Sequence, residues 1–388
     1  MTHSLDDLVE HGHIVICCGT GGVGKTTSAA VLALEGARNG RHAVVVTIDP
    51  AKRLANALGL AALSNTPHEI DRALWDGDGE AAPTGRLAAM MLDTKSTFDT
   101  LVSRYAETPE QAARILQNRF YRNISGALSG TQEYMAMEKL HELHEDGGYD
   151  LIVVDTPPSR HALDFLDAPQ RLMRLLDNHV FRLLMMPTRA YLRVASVAVQ
   201  VFLRTISKVV GTEVVEDVVA FFRAFEGMEQ GFRERAGRVI ELLADEGTRF
   251  VLVTTPRRDA VQEAEFFAQR LGETGIDVDA LIVNRVHPRF GDESPEGLRS
   301  RAVELAARAG TTDEPAIKSA GSRLASLYDN LADFQEISER EGHHLAGVQE
   351  RVGSAEIAHV AFLANDVHDF DGLRAVGRLL FESSKGRE

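Results

Sequence analysis

Short apolar runs recur along the chain, each bounded by polar residues, glycine or proline. They are His13–Cys18, Ala43–Ile48, Leu87–Asp93, Tyr149–Asp155, Arg249–Pro256, Asp279–Arg285 and Ala358–Leu363. Runs this short and this uniformly apolar fit strands covered on both faces, the pattern of a parallel sheet. Helix-type stretches separate them: Ser28–Leu34, residues 94–145 with a break around 125–131, Asp259–Leu271, residues 295–352, and Asp371–Ser383. Strand alternating with helix predicts an α/β fold with a mostly parallel, doubly wound sheet. A long helical stretch at 170–246 interrupts the alternation. The expected organisation is therefore an α/β domain from 1–165 and 247–388, with an inserted helical subdomain at 166–246 to which 95–145 contributes. In the insertion Val215, Val218, Phe222, Phe225, Phe232, Ala236, Val239 and Leu243 recur at threes and fours, which makes an amphipathic face. Such a face suits a core or dimer contact, or else an adaptable groove for an apolar client. The apolar run Val194–Leu203 is too short to span a bilayer. Residues 59–86, rich in Gly, Ala, Pro and acidic side chains, predict a mobile loop.

The chemistry concentrates where the first strand meets the first helix. Gly19-Thr20-Gly21-Gly22-Val23-Gly24-Lys25-Thr26-Thr27 follows the strand and opens the helix, the full context of the phosphate-loop pattern GxxxxGK[ST]. Its glycines let consecutive backbone N–H groups turn onto phosphate oxygens, and the helix start adds its positive dipole end. Lys25 is expected to reach the β- and γ-phosphates, and the Thr26 hydroxyl to ligate Mg²⁺. The loop as a whole is expected to hold a nucleoside triphosphate. Two acids at strand ends extend this reading. Asp49, in Asp49-Pro50-Ala51-Lys52-Arg53, leaves the second strand on the side where ligands of such sheets sit. There it can orient water or touch the metal shell, and it can equally cap a helix. Asp155 closes its strand at the Walker B position, which holds Mg²⁺ through water. The turn-like segment Thr156–His161 is where a nucleotide-sensing switch would lie, although His161 can equally be packed at a helix start.

Composition narrows the options. Of 388 residues, 44% are hydrophobic, enough for a sizeable core, and the net charge of −15 disfavours a nucleic-acid partner. The two cysteines, Cys17 and Cys18, are adjacent in one strand and point to opposite faces, so no disulfide framework is expected. A reducing cytoplasm fits, with room for peripheral contact at a membrane. The segment Met1–His13 is unlike a signal peptide, and no apolar run approaches the roughly 18 residues of a membrane span. His343 and His344 are neighbours that cannot share a helix face, which disfavours a metal site.

The motifs Gly21–Thr27, Asp49-Pro50-Ala51, Asp155-Thr156-Pro157-Pro158 with His161, and Val283-Asn284-Arg285-Val286 stand in order. In that order they resemble the arsenite-pump (ArsA) ATPase family, which includes the ATPase of the guided-entry pathway for tail-anchored membrane proteins. The resemblance covers nearly the whole chain. It implies a Mg-dependent ATPase that closes as a dimer over two ATP molecules and couples turnover to a client or membrane partner. A chaperone or targeting factor that binds hydrophobic segments with little hydrolysis is the alternative. Under the resemblance Asp49 positions the hydrolytic water, and Asp155 and His161 belong to the second switch. Asn284, with Arg285 beside it, then reads adenine, next to a loop near 364–368.

The departures from the family are specific. Thr20 stands where the family carries a second lysine that reaches the partner's ATP. Lys52 and Arg53 follow Asp-Pro-Ala, and Arg160 stands where glycine is expected. The missing cation is expected from Lys52, Arg53 or Arg160, or from a paralogous partner, so a homodimer and a heterodimer both fit. With no cysteine outside the first strand, the thiolate metalloid site and the paired-cysteine zinc clasp of relatives are absent.

Overall fold

Side chains alternate across each central strand and so build two cores, one on either face of the sheet. On β1 (Ile14–Cys18), Ile14, Ile16 and Cys18 enter one core while Val15 and Cys17 enter the other. The same division holds on β2 (His42–Thr47), where Val44 and Val46 oppose Ala43 and Val45. The two cysteines therefore sit in different layers and are free thiols. The computed structural model describes residues 4–48, 53–76, 85–124, 131–157, 162–177, 211–311 and 314–385. Asp49, Lys52, Arg160, His161 and the Val194–Leu203 run lie outside these residues.

The remaining strands are β3 (His68–Glu69), β4 (Arg86–Met91), β5 (Leu151–Asp155), β6 (Thr248–Thr254), β7 (Ala280–Val286) and β8 (Glu356–Ala361). They form one sheet in the order β3-β4-β2-β5-β1-β6-β7-β8. Each pairing is parallel except β3 with β4. The mostly parallel sheet expected from the sequence is what the chain forms. β1 lies inside the sheet, with β2 to β5 on one side of it and β6 to β8 on the other, so the direction of winding reverses there. That reversal opens a crevice at the carboxyl end of β1, where open α/β sheets bind ligands.

Residues 59–76 differ from the expected loop, and 77–84 lie outside the described residues. Ile70 and Trp75 are buried there, the Trp75 indole N–H donates to the Ile70 carbonyl at 3.3 Å, and a short helix spans Arg72–Trp75. One large aromatic seated in the core outweighs the polar composition around it.

The helices at 94–145 and 212–243 share one aromatic core. Phe98 contacts Tyr121, Phe225 and Phe232, and Phe221 contacts Tyr121 and Phe225. Gln111 fastens the two segments by donating to the carbonyls of Ala224 and Glu226, both at 2.8 Å. Beneath the rings Arg235 pairs with Glu138, each about 3% exposed or less, and reaches Glu145 at 2.5 Å. The Tyr134 hydroxyl donates to Glu138 at 3.0 Å. Burial pushes the Glu138 carboxyl above its ordinary range, against the opposing pull of Arg235.

Residues 295–352 form an antiparallel hairpin of two helices, Pro295–Gly310 and the 38-residue Pro315–Val352. The pair approaches closely at Gly321, where an added Cβ would lie 2.8 Å from the Ala309 methyl. Leu345, Val348 and Val352 root the long helix in the core shared with Arg258–Glu273. His343 and His344 face backbone carbonyls, Glu339 O at 2.8 Å and Pro256 O at 3.0 Å.

Candidate nucleotide site

The loop between β1 and the helix Lys25–Arg38 turns back on itself through glycines that nothing larger can replace. Gly19 has φ 147°, and a Cβ there would lie 2.1 Å from the Val253 carbonyl oxygen. Gly24 has φ 103°, and its Cβ would lie 2.2 Å from the Asn284 amide nitrogen. Both positions need a left-handed backbone and a missing side chain at once. Lys25, largely buried, crosses the loop and donates from Nζ to the Thr20 carbonyl at 2.7 Å. Thr20, where the family carries its second lysine, thus offers a carbonyl to the lysine that remains.

Asp155 ends β5 beside this loop because β5 pairs with β1 in the register Cys17↔Asp155. On its other side β2 pairs in the register Thr47↔Asp155. The buried carboxylate accepts from the Thr26 hydroxyl at 2.7 Å and the Thr47 hydroxyl at 2.9 Å on the same oxygen. Thr156 follows, its hydroxyl donating to the Cys17 carbonyl at 2.8 Å. Thr47 was not legible as a site residue, since a threonine within an apolar strand reads as an ordinary strand residue. Only the register places it on Asp155.

β7 contributes the far wall. The pairing of β7 with β8 slips between Asn284 and Val286, and Arg285 takes φ 61° there. A non-glycine residue in that region marks a local irregularity worth a function. The bulge turns Asn284 and Arg285 onto the loop. Asn284 Nδ2 donates to the Val23 carbonyl at 2.9 Å, and its Oδ1 accepts from the Arg285 N–H at 2.9 Å. Arg285 Nη1 donates to the Gly22 carbonyl at 3.3 Å.

These groups enclose a cleft of about 510 Å³, lined by the loop, Arg53, Asp155, Asn284, Arg285 and the segment from Val360 to His368. A larger cleft, about 750 Å³, opens at the other end of β6 and β7 among Asp245, Asp277, Asp279 and Arg249. Size does not decide between them. The first has the backbone cradle, the lysine and the threonine–aspartate pair at the carboxyl end of the sheet, and the second has none of these. The residues of the first cleft fit a triphosphate with a hard divalent cation, since the donor set is a hydroxyl and a carboxylate. Among the described residues no group of His, Cys, Asp and Glu forms a preformed metal cage. Burial pushes the Cys18 thiol up to about 12 and Cys17 well above its ordinary value, so neither offers a thiolate.

Of the residues singled out in the sequence, Gly19, Gly21, Gly22, Val23, Gly24, Lys25, Thr26, Thr27, Asp155, Asn284 and Arg285 gather in or around this loop. Arg53 joins them at the cleft wall. Phe362, missed in the sequence as the tail of an apolar strand, lines the cleft as well.

Comparison with known proteins bears on the same region. The family model described as "Anion-transporting ATPase" matches residues 12–307. The chain is 27% identical to "ATPase GET3" of Malassezia globosa over 273 residues, covering 70% of this chain and 72% of that one. It is 26% identical to "ATPase get3" of Aspergillus terreus, covering 74% of this chain and 77% of that one. It is 29% identical to "ATPase GET3B" of Arabidopsis thaliana, covering 70% of this chain and 63% of that one. Motifs, sheet order and family match agree: the chain belongs to the anion-transporting (ArsA) ATPase family of phosphate-loop ATPases.

Proposed function

We propose that this chain hydrolyses Mg-ATP in the 510 Å³ cleft and uses the turnover to change its conformation for a partner. The observation that carries the reading is the 2.7 Å contact between Thr26 and Asp155 at the mouth of the loop. Backbone N–H groups of Gly22 to Thr27 would bind the phosphates, and Lys25 would leave the Thr20 carbonyl to meet the β- and γ-phosphates. Thr26 would ligate Mg²⁺ directly, and Asp155 would hold it through water. The metal neutralises charge that develops on the phosphate oxygens. Asp49 is proposed to orient the attacking water, with Lys52, Arg53, Arg160 and His161 in the switches that follow nucleotide state. The resemblance to the arsenite-pump ATPase family supports coupling to a client or membrane partner, and a dimer as the working unit. No helix among the described residues is long and apolar enough to cross a membrane.

Asn284 is proposed to read the base. It is fixed at both ends, by Val23 and by the Arg285 N–H, so its amide edge is set before a nucleotide arrives. Asn284→Ala is expected to weaken ATP binding about tenfold, the worth of one well-placed hydrogen bond of about 1.4 kcal/mol. Its affinity for inorganic tripolyphosphate is expected to stay within twofold of the parent protein's, about 0.4 kcal/mol. Competition titrations with the two ligands measure both. Equal losses for the two would move Asn284 out of the base subsite.

A further inference from the structure

β2 ends on a side chain that the rest of the strand does not foreshadow. Ala43, Val44, Val45 and Val46 are buried and apolar, and Thr47 follows them at 1% exposure. A valine would fill this place with nearly the same shape and would suit a strand equally well. A hydroxyl this deeply buried costs free energy unless it is hydrogen-bonded, so a threonine here calls for a partner. Asp155, at 2.9 Å, is that partner.

Register fixes the pairing. Thr47, Asp155 and Cys17 stand in one row across β2, β5 and β1. By the alternation along each strand, that row points to the face covered by helix Lys25–Arg38. The Ile48 N–H also donates to the Asp155 carbonyl at 3.1 Å, so backbone and side chain both hold the end of β2 to Asp155. Thr26 and Asp155 line the nucleotide cleft, and Thr47 does not. It stands behind the acid. A carboxylate accepts and a hydroxyl has one proton, so Thr26 and Thr47 both donate to the same Asp155 oxygen. With its proton turned to Asp155, the Thr26 oxygen keeps its lone pairs for a hard cation. The two donors reach that oxygen from different elements, β2 and the helix start, and together they restrain the carboxylate from turning about its own bond. Removing the Thr47 hydroxyl takes away one of these restraints and leaves the cleft wall itself unchanged.

We propose that Thr47 is a positioning residue for the metal, its hydroxyl holding the Asp155 carboxylate in the orientation that Mg²⁺ needs. This role rests on the reading of the cleft as an Mg-ATP site. Groups that orient the shell around a metal without touching it commonly carry about 10–100-fold of its affinity.

Titrations of ATP binding against Mg²⁺ test this role, with metal-free ATP binding as the measure of an intact loop. Thr47→Val is expected to raise the Mg²⁺ concentration for half-maximal tightening of ATP about 10–100-fold. Its metal-free ATP affinity is expected to stay within about twofold of the parent protein's. Thr47→Ser keeps the hydroxyl and drops a methyl, and is expected to restore most of the Mg²⁺ response. In an Asp155→Asn background, Thr47→Val is expected to add little, because both changes act on one contact. A parent protein whose ATP affinity ignores Mg²⁺ would overturn the Mg-ATP reading and this role together. A parent protein that responds to Mg²⁺, beside a Thr47→Val protein that responds equally, would overturn the role of Thr47 alone. Loss of metal-free ATP binding in Thr47→Val, or no rescue by Thr47→Ser, would also overturn it and leave Thr47 a packing residue.

Discussion

Replacing Lys25 with alanine is expected to lower ATP turnover by about 10²–10³-fold or more, the usual loss when one aimed donor leaves a charged transition state. The side chain is largely buried and anchored only 2.7 Å from the Thr20 carbonyl, so its charge stands preset beside the loop. Binding of ATP should weaken as well, because the same ammonium meets the β- and γ-phosphates before reaction and during it. The fold should survive, since the alanine leaves no buried charge without a partner and keeps the helix propensity at this position. Steady-state phosphate release, with a circular dichroism melt as control, measures both halves of the expectation. Turnover within a few fold of the parent protein would place hydrolysis elsewhere.

Arg235→Ala is expected to cost about 3–5 kcal/mol of stability, because it strands Glu138 in the core without its counter-charge. Glu138 is 2% exposed and keeps only the Tyr134 hydroxyl once the guanidinium is gone. Part of the loss will be relieved by protonation, given that burial already raises this carboxyl. Combining Arg235→Met with Glu138→Gln should recover most of the stability, since it removes both charges and keeps the volume. Urea unfolding of the parent protein and the two variants decides the matter. A single variant as stable as the parent protein would mean that water reaches Glu138.

How much of this was legible follows from which interactions are local. The phosphate loop is a contiguous run whose glycines, lysine and threonine act through neighbouring backbone, so Gly19–Thr27 could be read without the fold. Asp155 was legible because a strand-end acid needs only the strand in front of it. Strands were legible because burial on both faces makes them apolar throughout. What escaped depends on register or on distant partners. Thr47 reaches Asp155 only through the pairing of β2 with β5, and Arg235 meets Glu138 across 97 positions of sequence. Arg285 owes its φ of 61° to a slip in the β7–β8 ladder that no single strand encodes. Trp75 was hidden by the acidic, glycine-rich residues that follow it.

Thr26 and Asp155 are proposed to hold the metal of a bound Mg-ATP. The measurement that meets this most directly is ATP affinity with Mg²⁺ and with chelator, in the parent protein and in Asp155→Asn. Asparagine keeps an oxygen for the Thr26 and Thr47 hydroxyls but loses the charge, so the loop should remain in place. In the parent protein Mg²⁺ is expected to tighten ATP about tenfold or more, a charge-assisted contact of at least about 1.5 kcal/mol. In Asp155→Asn that enhancement should largely vanish while metal-free ATP binds as before. An equal Mg²⁺ enhancement in both proteins would contradict the account.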